Sequence, residues 1–439
     1  MLIELIQLLL AAIACGLLFA AFRWFLRDRT IALIVGIGFL VRAVAGQLLF
    51  WISFLYLPIG RDLQAGNGLW FYARDGRGYF EQAWLAVEEG FGAIVHIDPN
   101  LISPGFSQVL ALFGFLFGAV VSTSLLLNLA AYLGTCAVAV KLAGDDKRAA
   151  ALSVAALSFS PSAILWSTQP LKDVLFLFLL AAFIGAAASW IAVWRREERA
   201  FPRAIAVTLL LLLVFCAIAG IRWYFAFALL LISAPILFVA ALRTRVPWRA
   251  SALLVAMYGV VFAAAVWVAG QYLPYQFRAL VTEPTVGGAM RTPYALAGAL
   301  DGARQAFDQM EGSTKITPRA APFLGGTAAL LLPRPIARAT GLVDVGGGRG
   351  LFFFADLDTV VFDLVLIVAV LTLMRAKWRS PLVWLVVIFT LAVGAAFVYT
   401  ISNFGALFRY RSMVFLGIAM IPAVAAWSAR DDAPRLTNG

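Results

Sequence analysis

The sequence predicts an all-α, polytopic membrane protein, with about eleven spanning helices and further interfacial helices in its outer loops. Three observations predict it. Hydrophobic residues make up 63% of the 439 positions and charged residues only 13%, well away from a soluble globular composition. Apolar runs of about 20 residues recur along the chain, long enough to cross a bilayer core as helices. The runs are continuous rather than alternating, and backbone groups in lipid must be satisfied internally, so helices are expected rather than barrel strands.

The expected spans fall near 2–22, 31–57, 123–142, 149–166, 172–194, 203–220, 223–242, 250–270, 357–374, 381–400 and 412–428. Basic residues gather in the short loops between them: Arg23, Arg27 and Arg29; Lys141, Lys147 and Arg148; Arg195, Arg196, Arg199 and Arg203; Arg243, Arg245 and Arg249; Arg375, Lys377 and Arg379. Short Lys/Arg-rich loops stay cytoplasmic, which places all five clusters inside. The stretch 101–120 is then expected to be interfacial or re-entrant, opening at Pro104 and Gly105, because a full crossing there would move every later basic cluster outside. The chain divides into a transmembrane module over 1–270, with a first outer loop at 58–122, an outer loop or lid over 271–356 with short helices near 293–312, and C-terminal helices with a short cytoplasmic tail over 357–439.

Several function classes drop out at this stage. The net charge of +11 is spread over topology-setting loops, so no nucleic-acid partner is expected. His96 is the only histidine, which argues against a histidine metal centre or a Ser-His-Asp relay. Cys15, Cys136 and Cys216 lie in apolar runs without metal-like spacing and read as small core residues. Met1 opens directly onto an apolar run, so a cleaved signal peptide is not expected. No internal repeat of the kind that builds many transporters is visible.

The unusual polar residues concentrate on the face opposite the basic loops. In "FYARDGRGYFEQAWLAVEEGFG", residues 71–92, the residues from Tyr79 onward follow a helical period, with Phe80, Trp84, Val87 and Phe91 as its apolar stripe, as in a helix lying in the interface plane. Asp75 precedes it and has two readings: helix N-cap, or a general base taking a proton from a sugar or alcohol hydroxyl. In "SFSPSAILWSTQPLKD", residues 158–173, Lys172 and Asp173 open the next helix. Asp173 suits the helix dipole and Lys172 an interfacial anchor; together they also suit a phosphate or a metal-bridged pyrophosphate. Arg222 in "GIRWYFAF" and Arg409 and Arg411 in "SNFGALFRYRSMVF" are arginines on the outer side, against the topology rule, and the guanidinium fork fits a phosphate or lipid headgroup. Arg42 lies deep in the second run, where a charge costs roughly 2.5–3.5 kcal/mol on insertion scales and marks a candidate site by default; its bland reading is packing on another helix's carbonyls. "GGGRG" at 346–350 has no nucleotide fold around it. "DLD" at 356–358 looks like a metal-binding or catalytic Asp pair, but it abuts a spanning helix and reads first as its interfacial end.

The arrangement resembles the GT-C superfamily of integral membrane glycosyltransferases, which includes protein mannosyltransferases and lipid A aminoarabinose transferases. The matching elements are Asp75 with Tyr79 and Ala83, "SPGFSQVLALFGFLFG" followed by Asn128, and the "SPS…W…KD" stretch ending at Asp173, with "GIRWY" and "NFGALFRYR" similar to bacterial polysaccharide-associated members. The resemblance is best over residues 31–230. It implies a polyprenyl-phosphate-linked sugar donor, a glycan, lipid or protein acceptor, and inverting transfer outside the cytoplasm of a bacterial inner membrane. It further implies that Asp75 is the catalytic carboxylate, that Asp173 is the second acidic position, and that the outward arginines stabilise the departing phosphate. A divalent metal ion is left open. Two other classes remain beside it: a surface-polysaccharide polymerase or ligase whose arginines bind polyprenyl pyrophosphate, and a lipid-linked oligosaccharide flippase, which would line a central cavity with charge.

Overall fold

The computed structural model describes residues 2–26, 28–97, 103–196, 201–244, 246–282, 316–318, 322–341, 343–345, 351–376, 378, 380–400 and 404–431. The helices expected near 293–312 and the glycine run at 346–350 lie outside them. The chain forms α1 (Leu2–Phe25), α2 (Arg29–Phe54), the short hairpin β1 (Gln64–Gly66) and β2 (Leu69–Trp70), α3 (Arg74–Glu89), α4 (Phe91–Val95), α5 (Pro104–Phe117), α6 (Thr123–Ala143), α7 (Lys147–Phe159) and α8 (Pro161–Trp166). It continues with α9 (Lys172–Arg196), α10 (Phe201–Ile221), α11 (Trp223–Leu242), α12 (Pro247–Thr282), β3 (Ile316–Pro318), α13 (Pro322–Leu331), α14 (Arg334–Ala339), β4 (Val343–Val345), α15 (Leu351–Arg375), α16 (Pro381–Thr400) and α17 (Phe404–Asp431). Antiparallel pairing joins β1 to β2 and β3 to β4.

The protein is an all-α polytopic membrane protein. Among the described residues nine helices, α2, α6, α9, α10, α11, α12, α15, α16 and α17, are long and apolar enough to cross a membrane. The α1 helix has 24 residues, of which Ala12–Arg23 form a shorter apolar stretch. At 14 residues, α5 extends about 21 Å at 1.5 Å per residue, short of the ~30 Å hydrocarbon core, in keeping with a non-spanning element at 101–120.

Two contacts orient the bundle. Lys147 at the start of α7 lies 3.0 Å from Asp28, the N-cap of α2, whose carboxylate also takes the Thr30 and Ile31 N–H groups. The Lys147 hydrogen bond and the Ile31 amide hold that carboxyl below its usual range. Arg430, near the end of α17, donates to the Leu142 carbonyl at the end of α6 at 3.3 Å. The basic residues at the ends of α6 and α17 and the starts of α2 and α7 therefore share one end of the bundle, and the beginning of α17 points to the other.

The expected span at 149–166 is not one helix. Pro161 lacks the N–H that would continue the α7 ladder to the Leu157 carbonyl, and Ser160 instead N-caps α8, its Oγ accepting from the Ala163 N–H. The next amide, Ser162, turns to Asp358 Oδ1 at 2.9 Å rather than to the Ser158 carbonyl. Both orphaned carbonyls are taken by Arg42, whose Nη2 donates to Leu157 O and Nη1 to Ser158 O, each at 2.8 Å. Arg42 is 1% exposed, its guanidinium stacked 4.1 Å over the Tyr132 ring. The deep arginine is thus a cap for a broken helix.

The amphipathic α3 is present but rotated from the expected stripe. Tyr79, Ala83 and Ala86 are buried, Phe80 and Val87 half-buried, and Trp84 and Phe91 exposed. Small side chains let α3 lie close against α5, where Tyr79 meets Phe106 edge-on at 5.2 Å.

Replacing Arg42 tests the break. Arg42→Met leaves two buried carbonyls unpaired, at about 1–3 kcal/mol each, so the unfolding midpoint in nanodiscs is expected to fall. Arg42→Lys, which cannot fork to both carbonyls, is expected to restore only part of the loss. An unchanged midpoint for Arg42→Met would remove the capping role.

Candidate functional site

Four separate segments converge at the end of the bundle opposite the basic loops. The α3 helix starts at Arg74 behind Ala73, a residue with no side-chain cap. Asp75 therefore sits inside the first turn rather than at the N-cap, with its carboxylate free to face outward. The turn before α9 is fixed by Asn128, whose Nδ2 donates to Ser167 O at 2.9 Å and Gln169 O at 2.8 Å. Gln169 in turn accepts from the Trp70 amide at 3.2 Å and donates to Gly68 O at 3.3 Å, so Lys172 and Asp173 emerge from a rigid support. Arg222 lies at the break between α10 and α11, where its carbonyl accepts the first α11 amides, Phe225 and Ala226. The start of α5 touches this break: a Cβ on Gly105 would fall 2.8 Å from the Gly220 carbonyl oxygen. Arg409 comes from the second turn of α17.

These side chains form one chain of charges. Arg222 Nη2 donates to Asp173 Oδ1 at 2.5 Å. Arg409 Nε donates to Asp173 Oδ2 at 2.8 Å, and its Nη2 lies 2.7 Å from the same oxygen, off the hydrogen-bond axis. Arg409 Nη1 then reaches Asp75 Oδ2 at 2.6 Å. Exposure rises steadily along the chain: the side chains of Arg222 and Asp173 are 0% and 1% exposed, Arg409 13% and Asp75 53%. Asp75 Oδ1 has no hydrogen-bond partner among the described residues. Lys172 donates to Ser103 Oγ, and its ammonium lies 5.2 Å from the Tyr79 ring. Burial, assisted by the Asp75 carboxylate, pushes the Tyr79 phenol well above its ordinary range, so it stays a neutral group at physiological pH.

Arg222 is enclosed on all sides. Its Nη1 donates to Tyr224 Oη at 3.2 Å, and its guanidinium lies 5.1 Å from both the Phe176 and Tyr410 rings. Nothing of it is left for solvent, whereas Arg409 and Asp75 are reachable. Asp75, Tyr79, Lys172, Asp173, Arg222 and Arg409 are thus brought together. Arg42 and Arg411 are not. Arg42 serves the α7–α8 break. Arg411, one residue beyond Tyr410, turns to the other side of α17, bonding Thr359 Oγ1 and the Ala329 carbonyl and lying 3.9 Å from Asp358.

That second cluster was under-read in the sequence. Asp358 is 1% exposed and accepts from the Ser162 amide and Ser160 Oγ at 2.9 and 3.1 Å, tying α15 to the broken helix. Its neighbour Asp356 takes Arg334 at 2.9 Å. The signal was the placement of both carboxylates in the opening turns of a spanning segment, where an unpaired charge would be costly. Ser103 and Gln169 carried no comparable signal.

A divalent metal does not fit the site as it stands. Both Asp173 oxygens are engaged by guanidinium groups, and Arg409 occupies the space between the two carboxylates. No group of three or more His, Cys, Asp or Glu side chains stands together among the described residues.

The two carboxylates should differ sharply on substitution. Removing one partner of a buried pair costs about 3–5 kcal/mol, while an exposed pair contributes about 0–1 kcal/mol. Thermal unfolding in nanodiscs is therefore expected to show Asp173→Ala strongly destabilised and Asp75→Asn nearly unchanged. Equal losses would contradict the gradient of burial.

No family model matches this sequence, and no curated protein matches it. Among solved structures, the chain is similar to the archaeal oligosaccharyltransferase AglB from Archaeoglobus fulgidus, solved in complex with an inhibitory peptide and a dolichol-phosphate. The match has 15% sequence identity and a TM-score of 0.44, and covers 87% of this chain and 49% of that one. This chain therefore corresponds to about half the length of that protein.

Proposed function

We propose that this protein is a membrane glycosyltransferase of GT-C type. It moves a sugar from a polyprenyl-phosphate donor to a lipid-linked, polysaccharide or protein acceptor at the outer face of a bacterial inner membrane, with Asp75 as general base. One observation carries the reading. The only strongly exposed member of the charge chain is a carboxylate with an uncommitted oxygen, held by an arginine that is itself anchored on a buried aspartate.

The chemistry follows from that geometry. An acceptor hydroxyl beside Asp75 loses its proton to Oδ1 as its oxygen attacks the anomeric carbon from the face opposite the phosphate. The bond from the anomeric carbon to the phosphate oxygen breaks, and its electron pair leaves with the polyprenyl phosphate, so the configuration inverts. Negative charge grows on that phosphate, and Arg409 supplies a fixed cationic donor for it, with Lys172 as a second donor, in a partly dehydrated setting. Asp173 and Arg222 hold Arg409 in place. Tyr79, neutral and buried, backs Lys172.

A second reading has one observation in its favour. Lys172 stands near Arg409 as a second donor, and two donors side by side also suit a polyprenyl pyrophosphate in a polysaccharide polymerase or ligase. A flippase draws less support, because Arg42 is committed to backbone carbonyls.

The test is transfer from a panel of radiolabelled polyprenyl-phosphate sugars by purified protein in nanodiscs. Asp75→Asn is expected to reduce transfer about 10²–10⁴-fold, the usual contribution of a positioned base. Equal transfer by both proteins would take Asp75 out of the chemistry. Transfer from no donor, with protein-dependent lipid movement across the bilayer, would replace the enzyme with a flippase.

A further inference from the structure

The Arg409 guanidinium has two unlike edges. Its Nε and Nη2 edge lies on Asp173, a carboxylate that is 1% exposed and also held by Arg222. Its Nη1 lies on Asp75, a carboxylate that is 53% exposed and has no other partner among the described residues. The first contact is buried, with Arg409 on Asp173 Oδ2 while Arg222 holds Oδ1. The second is a single contact at the solvent edge.

These two contacts differ in how readily a competitor displaces them. Breaking the buried edge leaves Asp173 Oδ2 without a partner in a low-dielectric setting. The exposed edge is worth little, because water screens it and solvates the released carboxylate. A phosphate offers several charged acceptor oxygens where Asp75 gives one to this edge, and its bonds to a guanidinium are charge-assisted as the carboxylate's are. Lys172 adds a second exchangeable donor nearby, since its present partner is the neutral Ser103 hydroxyl.

We infer that a phosphate group displaces Asp75 from Arg409 Nη1 while Arg409 stays anchored on Asp173, so that phosphate binding itself releases the Asp75 carboxylate. This rests on the proposed function for its use, but not for its detection. Before the exchange, Asp75 Oδ2 is engaged by Arg409. After it, both Asp75 oxygens are open to an acceptor hydroxyl, and the phosphate occupies the arginine. The base thus becomes fully available only when a phosphate is bound beside it. No covalent bond changes in this step; an ion pair between Arg409 and Asp75 is exchanged for one between Arg409 and the phosphate.

The exchange makes a prediction opposite in sign to that for an ordinary binding residue. Asp75 competes with the phosphate, so removing its charge should tighten phosphate binding. Equilibrium binding of undecaprenyl phosphate, and separately of inorganic phosphate, is measured on the full-length protein in nanodiscs for wild type, Asp75→Asn and Asp75→Ala. Both variants change an exposed side chain, and the second excludes a new hydrogen bond from the asparagine amide. Binding is expected to tighten about fivefold in both variants, corresponding to loss of a competing exposed pair. Tightening for undecaprenyl phosphate alone assigns a lipid headgroup as the ligand, and tightening for both assigns free phosphate as well. Unchanged or weaker binding in both variants, or no binding of either probe by wild type, overturns the exchange.

The same variants separate this inference from the functional reading. Tighter binding with unimpaired sugar transfer would remove Asp75 as base and leave the exchange standing. Lost transfer with unchanged phosphate affinity would keep the base and remove the exchange.

Discussion

The site depends on a buried carboxylate. Asp173 stands at the start of α9, fully enclosed, with one oxygen on Arg222 and the other on Arg409. Taking such charges out of water costs several kcal/mol per ion, and their attraction offsets that cost only when geometry and hydrogen bonding are complete. The three groups come from α9, from the α10–α11 break and from α17, so these elements are held in one relative position. The backbone around the α10–α11 break follows the same constraint: Gly105 lets α5 approach the Gly220 carbonyl, just ahead of Arg222. The exposed end of the network, Asp75, inherits its position from the buried end through Arg409.

A second constraint comes from Pro161. By interrupting α7 it leaves carbonyls facing inward and frees an amide at Ser162, and the chain answers with charges brought from afar. Arg42 of α2 takes the carbonyls, and Asp358 of α15 takes the amide. Arg411 then approaches Asp358 from α17. Since Arg409 and Arg411 leave α17 on different sides, that one helix joins the two charge clusters. Its large buried face, with Trp427, Phe415, Met420 and Met413 enclosed, fits a helix around which the others are arranged.

Sidedness was the part of the site most legible in the sequence. Basic loops marked one end, and Lys172, Arg222 and Arg409, which opposed the rule, fell at the other. That is why Asp75, Tyr79, Lys172, Asp173, Arg222 and Arg409 could be grouped without knowing which helices touch. Direction around a helix was not legible. Arg409 and Arg411 differ by two residues, about 200° of rotation on an α-helix, yet both read as outward arginines. Arg42 read as a candidate because burial of charge signals function by default, but the signal for its actual role lay in Pro161, far away in sequence. The rotation of α3 was hidden because the larger Trp84 suggested the buried face, and because Phe91 falls beyond Gly90 in α4, while close contact with α5 favours the small Ala83 and Ala86.

The central claim is that Asp75 and Arg409 act as a unit in sugar transfer. A double-mutant cycle on the transfer rate tests it most directly, using Asp75→Asn, Arg409→Lys and the combination; the lysine keeps a cation beside Asp173 but loses the fork that reaches both carboxylates. If the two groups act together, the double variant is no slower than the slower single variant, because the phosphate held by Arg409 and the base Asp75 serve one concerted displacement. Losses that simply multiply would show two independent contributions and contradict the account.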